Sequence, residues 1–91
     1  MKIWARLITD GKNVKDTLYA DNMPLNFDSY ENMLRKVAEL LEISSPVTMQ
    51  IHFKHFKEFN VHRFIPDDFV ESFDYDSMEI ECYEWFYNKI N

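Results

Sequence analysis

Ile3, Ala5 and Leu7 alternate with Lys2, Trp4 and Arg6, the period-2 pattern of a strand with one buried and one wet face. Asp10-Gly11 follows directly, and a pair of this kind supplies the positive φ that a tight hairpin turn requires. A second strand is expected over Val14 to Tyr19. Asp16 falls in register with Val14 and Leu18, which places this strand at a sheet edge. Beyond Asn22 and Pro24 the period changes. Tyr30, Met33, Leu34, Val37, Leu40 and Leu41 form one apolar stripe at helical spacing, with Glu31, Asn32, Arg35, Lys36, Glu39 and Glu42 turned to water. Asp28 and Glu31 have the spacing of a capping box, and Pro46 prevents the chain from continuing helically, so a helix is predicted over about residues 29 to 43.

The next stretch carries two patterns at once. Val47, Met49, Ile51 and Phe53 alternate with Thr48, Gln50, His52 and Lys54 as in a strand, yet Phe53, Phe56 and Phe59 recur at every third position, as in a helix. The expectation is a short extended piece followed by a short helix. Pro66-Asp67-Asp68-Phe69 reads as a one-turn helix with acids at its positive end. Met78, Ile80 and Cys82 then alternate with Glu79, Glu81 and Tyr83 in a last strand. A hairpin, a helix and further strands define an α+β class. Their order is that of a β-grasp domain, with a helix packed on a small mixed sheet whose first and last strands are neighbours; other ββαβ arrangements share the pattern.

At 91 residues, the chain is the size of one small domain, and residues 1–91 are expected to form one. Cys82 is the only cysteine, which excludes an intramolecular disulfide and suits a reducing compartment, so a cytoplasmic protein is expected. No stretch approaches the roughly 18 to 20 apolar residues of a membrane span. The net charge of −6 is concentrated late in the chain: residues 1–63 hold nine basic and eight acidic groups, and residues 64–91 hold one and eight. Such a field repels phosphate backbones, which disfavours direct nucleic-acid binding. It attracts a basic partner, or lets the acidic half mimic a nucleic-acid backbone.

Gly11 is the only glycine, so phosphate-cradling loops, dinucleotide fingerprints and nucleophile elbows are all missing. No cofactor and no catalytic residue is expected. Cys82 sits on the buried register of the last strand, where it acts as a small hydrophobe rather than a nucleophile. Histidines 52, 55 and 62 lie close in sequence. If the chain there is helical, His52 and His55 share a face and could hold a metal, with His62, Asp67 or Asp68 completing the set. Lys54, Lys57 and Arg63 oppose a cation, and the competing reading is a set of surface histidines. The acids from Asp67 to Glu81 lack the ligand order and glycine of a calcium loop, and read as a solvated face.

The aromatic run Trp85-Phe86-Tyr87 is unusual so near the end of a chain. It either packs within the domain or, with Trp4, contacts another protein or a second copy of the chain. The favoured function is therefore a small non-enzymatic interaction domain that uses a sheet edge or this aromatic segment. A metal-dependent protein is the alternative.

Taken as strings, Phe56-x-x-Phe59, Arg63-Phe64, Asp68-Phe69-Val70-Glu71 and Phe73-Asp74-Tyr75-Asp76-x-Met78-Glu79-Ile80 give the chain a resemblance to known sequences, supported by Lys2 to Arg6 and by Pro46. The chain resembles a family of short bacterial proteins of unknown function. The resemblance implies an intracellular bacterial protein made of this one domain; it implies no activity, cofactor or site residue.

Overall fold

The computed structural model describes residues 1–84. Its central strand is β1 (Lys2–Thr9), whose Ile3, Ala5 and Leu7 are fully buried, as the alternation requires. Asp10 and Gly11 both adopt positive φ, 53° and 73°, turning the chain back into β2 (Lys12–Ala20), which pairs antiparallel with β1. Asp76 fixes this turn from outside, accepting from the Asp10 amide at 2.8 Å while its own amide donates to the Ile8 carbonyl at 2.8 Å. β2 is an edge strand, as its poor alternation implies: Lys15, Thr17 and Tyr19 face inward half-buried, and Asp16 and Leu18 face water.

Helix α1 (Phe27–Leu41) turns Tyr30, Met33, Leu34, Val37, Ala38 and Leu41 into the core. The residues that cap it differ from the expected pair. Asn26 accepts from the Ser29 amide at 2.8 Å, and the Ser29 hydroxyl accepts from the Asn26 amide at 3.1 Å, so the helix starts before Asp28 rather than at it. Ser29 is buried, and its hydroxyl also donates to the Pro24 carbonyl at 2.6 Å, which makes it the stronger partner. The helix closes at Glu42, which takes the left-handed conformation (φ 61°). Leu40, expected in the apolar stripe, is exposed; Ala38 takes its place against the sheet.

The strand pattern over 47–53 is not realised. Residues 45–49 form a loop, and α2 (Gln50–Phe59) begins before the alternation is complete. The reason is tertiary. Helical spacing lets Phe53 and Phe56 both reach Tyr30 of α1, with ring centroids 5.3 and 5.4 Å away, a pairing that a strand would divide between two faces. Val47, Met49 and Ile51, buried in the strand reading, are exposed.

Asn60 reverses the chain with φ 64° into a strand that the sequence pattern does not announce, β3 (Val61–Phe64). The expected one-turn helix follows as a 3-10 turn over Pro66–Asp68, where the Asp68 carboxylate accepts from the Ile65 amide at 2.9 Å. β4 (Ser77–Glu84) then buries Met78, Ile80 and Cys82 as expected. The sheet order is β2-β1-β4-β3, so the first and last strands are neighbours in an α+β domain. Every pairing is antiparallel, where a mixed sheet was expected. The third strand is supplied by Val61–Phe64 rather than by residues 47–53, and β4 runs antiparallel to both β1 and β3.

Both helices pack on the face that carries Ile3, Ala5, Leu7, Phe64, Met78 and Ile80. Tyr30 lies at the centre of this core with its phenol oxygen buried and without a hydrogen-bond partner among the described residues. Burial alone pushes its ionisation far above the usual tyrosine range.

Replacing Asn26 with alanine removes the side-chain arm of the capping box, while the backbone amide can still donate to the Ser29 hydroxyl, and is expected to lower unfolding stability by about 1 kcal/mol in a denaturant titration. Replacing Tyr30 with phenylalanine keeps the ring contacts and removes only the unsatisfied hydroxyl. Stability in the same titration is expected to be unchanged or raised by up to about 1 kcal/mol; a clear loss would show that the hydroxyl is bonded.

Candidate functional site: the edge formed by the second helix and the third strand

The solvent face of the sheet is organised in rows across the strands. Asp16, Arg6, Glu79 and Arg63 stand side by side on β2, β1, β4 and β3, alternating in sign. Arg6 lies 3.5 Å from Glu79 and 3.4 Å from Glu81, and Arg63 lies 3.1 Å from Glu79. In the next row Trp4 sits between Leu18 and Glu81. Its indole donates to Asp16 at 2.7 Å, and the Arg6 guanidinium covers its ring at 4.0 Å. Trp4, a candidate contact residue, is thus half-buried and held by its own neighbours. Glu79 and Glu81, two acids of the acidic run, are thus ion-paired on this face.

The two sheet edges differ. β2 carries Lys12, Lys15 and Asp16, and Lys15 reaches Glu42 at the end of α1 at 3.2 Å, so charges guard that edge. Val14 and Leu18 are exposed on β2 as well; the other edge also carries charge, Arg63 on β3 and Lys54 and Lys57 on α2, but gathers more apolar side chains. β3 is four residues long, and exposed apolar side chains surround it: Val61 on the strand, Ile65 just beyond it, and Ile51 and Phe59 on α2. Ile51 is 67% exposed and Phe59 55%. Together with His55 they occupy positions i, i+4 and i+8, one stripe of the helix. His55 links this stripe to the strand, with its ring 4.8 Å from Phe59 and 5.2 Å from His62.

The helical spacing anticipated for His52 and His55 is realised, and β3 adds His62 to them. The His62 ring lies 4.8 Å from His52 and 4.5 Å from Phe64, and Asp68 approaches His52 Nε2 at 3.8 Å. Four of the five anticipated metal candidates, His52, His55, His62 and Asp68, therefore cluster, while Asp67 is exposed on the 3-10 turn. Among the described residues, however, no group of three or more His, Cys, Asp or Glu side chains is arranged to hold a metal ion. The cluster is instead a packed layer of imidazoles. Both ring nitrogens of His62 and Nδ1 of His52 are buried without hydrogen-bond partners among the described residues. Burial, and then the neighbouring His52 and His55, pull His62 down from the ordinary 6.5 to about 4, against an opposing pull from Asp68.

Beside the cluster an open pocket of about 270 Å³ is lined by His55, His62, Val61, Arg6, Arg63 and Glu79. This is below the usual range of small-molecule sites, about 300 to 1,000 Å³, and fits a docked side chain better than a substrate. Cys82 is buried in β4, with its sulfur 3.4 Å from the Glu84 carbonyl oxygen. Trp85, Phe86 and Tyr87, the other candidate contacts, lie outside the described residues. The sequence pattern reads Ile51 and Phe59 as inward-facing; the Phe53 and Phe56 contacts with Tyr30, which turn them outward, are tertiary and leave no local signal.

No helix among the described residues is long and apolar enough to cross a membrane. Compared with protein-family models, curated proteins and solved structures, the chain matches none, so the functional reading rests on the geometry of the β3 and α2 edge.

Proposed function

We propose that this chain is a non-enzymatic interaction domain that docks an extended segment of a partner protein along β3 and the exposed stripe of α2. The observation that carries this reading is the apolar cluster around β3: Ile51, Phe59, Val61 and Ile65 are exposed about a four-residue edge strand, whereas β2 exposes only Val14 and Leu18 among Lys12, Lys15 and Asp16. An edge strand offers a row of backbone donors and acceptors to an incoming strand, and apolar side chains beside it add the contact area that gives affinity.

Charge defines the partner further. Residues 50–65 contain Lys54, Lys57 and Arg63 against Glu58 alone, a net +2 with histidines neutral in a chain of net −6. The complement is an extended segment with apolar side chains and acidic flanks.

The test is capture of partners on the tagged full chain from its own cells, with native mass spectrometry to distinguish a second protein from a second copy. Replacing Ile51 and Phe59 together with glutamate is expected to reduce a stoichiometric partner at least about tenfold without changing the thermal unfolding curve. Leu18→Glu and Leu40→Glu, each at an exposed apolar site elsewhere, are expected to retain it. Retention by the double variant contradicts the proposal, and loss on Leu18→Glu alone would move the contact to the open face of the sheet.

A further inference from the structure

His62 occupies the least favourable polar position in the fold. It lies on the inner register of β3, in ring contact with Phe64 of its own strand and with His52 and His55 of α2. A neutral imidazole has one donor and one acceptor nitrogen, and here both are buried without partners among the described residues. A proton on this ring would place a charge in an apolar layer beside two further imidazoles.

The surrounding groups give such a charge little compensation. From the 3-10 turn, Asp68 approaches His52 at 3.8 Å. From the sheet, Arg6 of β1 and Arg63 of β3 line the same pocket and share Glu79 of β4, and Arg6 also meets Glu81. On α2 itself, Lys54, Lys57 and Glu58 are exposed at its surface. Apart from Asp68, then, the carboxylates around His62 already serve arginines.

We propose that the packing of His62 against His52 and His55 makes the contact between α2 and β3 an acid-sensitive latch, closed while His62 is neutral and opened when it takes up a proton, with β2, β1 and β4 remaining paired. The division is physical. β1 and β4 bury side chains along most of their length, whereas α2 has one fully buried residue, Phe56, and β3 has one, Phe64. The latch stands on the cluster alone and holds whether or not the edge docks a partner.

The depressed ionisation of His62 gives the direction of the effect. A histidine held low in the closed state binds its proton more readily once released, so the closed state is at full strength above 6.5 and weakens as the pH falls toward about 4.

The experiment is an NMR pH titration of the full chain from pH 7.5 to 3 with a chelator present, following histidine ring signals and backbone amides. The expected result is that amides of residues 50–65 change together as His62 takes up its proton, while those of β1 and the β1-facing part of β4 hold their positions. His62→Phe removes the proton site and keeps an aromatic ring against Phe64. It is expected to need at least about tenfold more acid, one pH unit, to reach the same change. An unchanged midpoint in His62→Phe would assign the acid response to carboxylates and overturn the proposal. A wild-type titration in which His62 protonates while α2 and β3 stay unperturbed would overturn it as well, and that measurement stands even if the variant does not fold.

Discussion

The fold depends on the burial of one face of β1 while both of its edges are hydrogen-bonded. Ile3, Ala5 and Leu7 exclude water from the helix side, and β2 and β4 pair with the strand on either flank. Because side chains alternate, a slip of one residue would turn Trp4 and Arg6 into the core and expose the three aliphatic residues, so the register of β1 is strongly specified. That register brings Asp16, Arg6 and Glu79 into one row and lets Trp4 shelter under Arg6. Individually such surface pairs contribute little. Their larger effect is on specificity, since a slip of one residue against β2 would set Arg6 opposite Lys15 or Thr17 in place of Asp16.

The helical layer is joined to this frame through aromatic contacts. Tyr30 receives Phe53 and Phe56, and this pairing decides that residues 50–59 are a helix. With Phe53 and Phe56 turned inward, Ile51, His55 and Phe59 are left facing outward beside β3. The candidate docking edge is thus a consequence of how the core is filled, and the imidazole layer joins it to the helix. His62, which packs beneath this edge, makes its attachment sensitive to protonation.

Much of the frame is legible in the sequence. The alternation at Ile3 to Leu7 and Met78 to Cys82, the Asp10-Gly11 turn and the helical stripe from Tyr30 to Leu41 are local patterns, and each element forms as its pattern implies. The failures have a common cause. Val47 to Phe53 satisfies two periods, and a contact with Tyr30, distant in sequence, chooses between them. Asn26 and Ser29 displace Asp28 and Glu31 as the cap because the buried Ser29 hydroxyl also reaches Pro24, which spacing alone does not reveal. At the candidate site, the shared helical face of His52 and His55 was legible. His62 was named as a possible third member, but the strand that brings it there was not legible, since it has only four residues and no alternation long enough to stand out.

The account divides the molecule into a strongly buried sheet frame and a lightly anchored α2–β3 layer, and native-state hydrogen exchange at neutral pH tests that division most directly. It predicts that amides of β1 and of β4 where it faces β1 exchange only through global unfolding, while those of α2 and the α2–β3 junction exchange through a smaller opening whose free energy is less dependent on denaturant. Equal protection and equal denaturant dependence across all four strands and both helices would contradict it, because the edge would then be an inseparable part of the core.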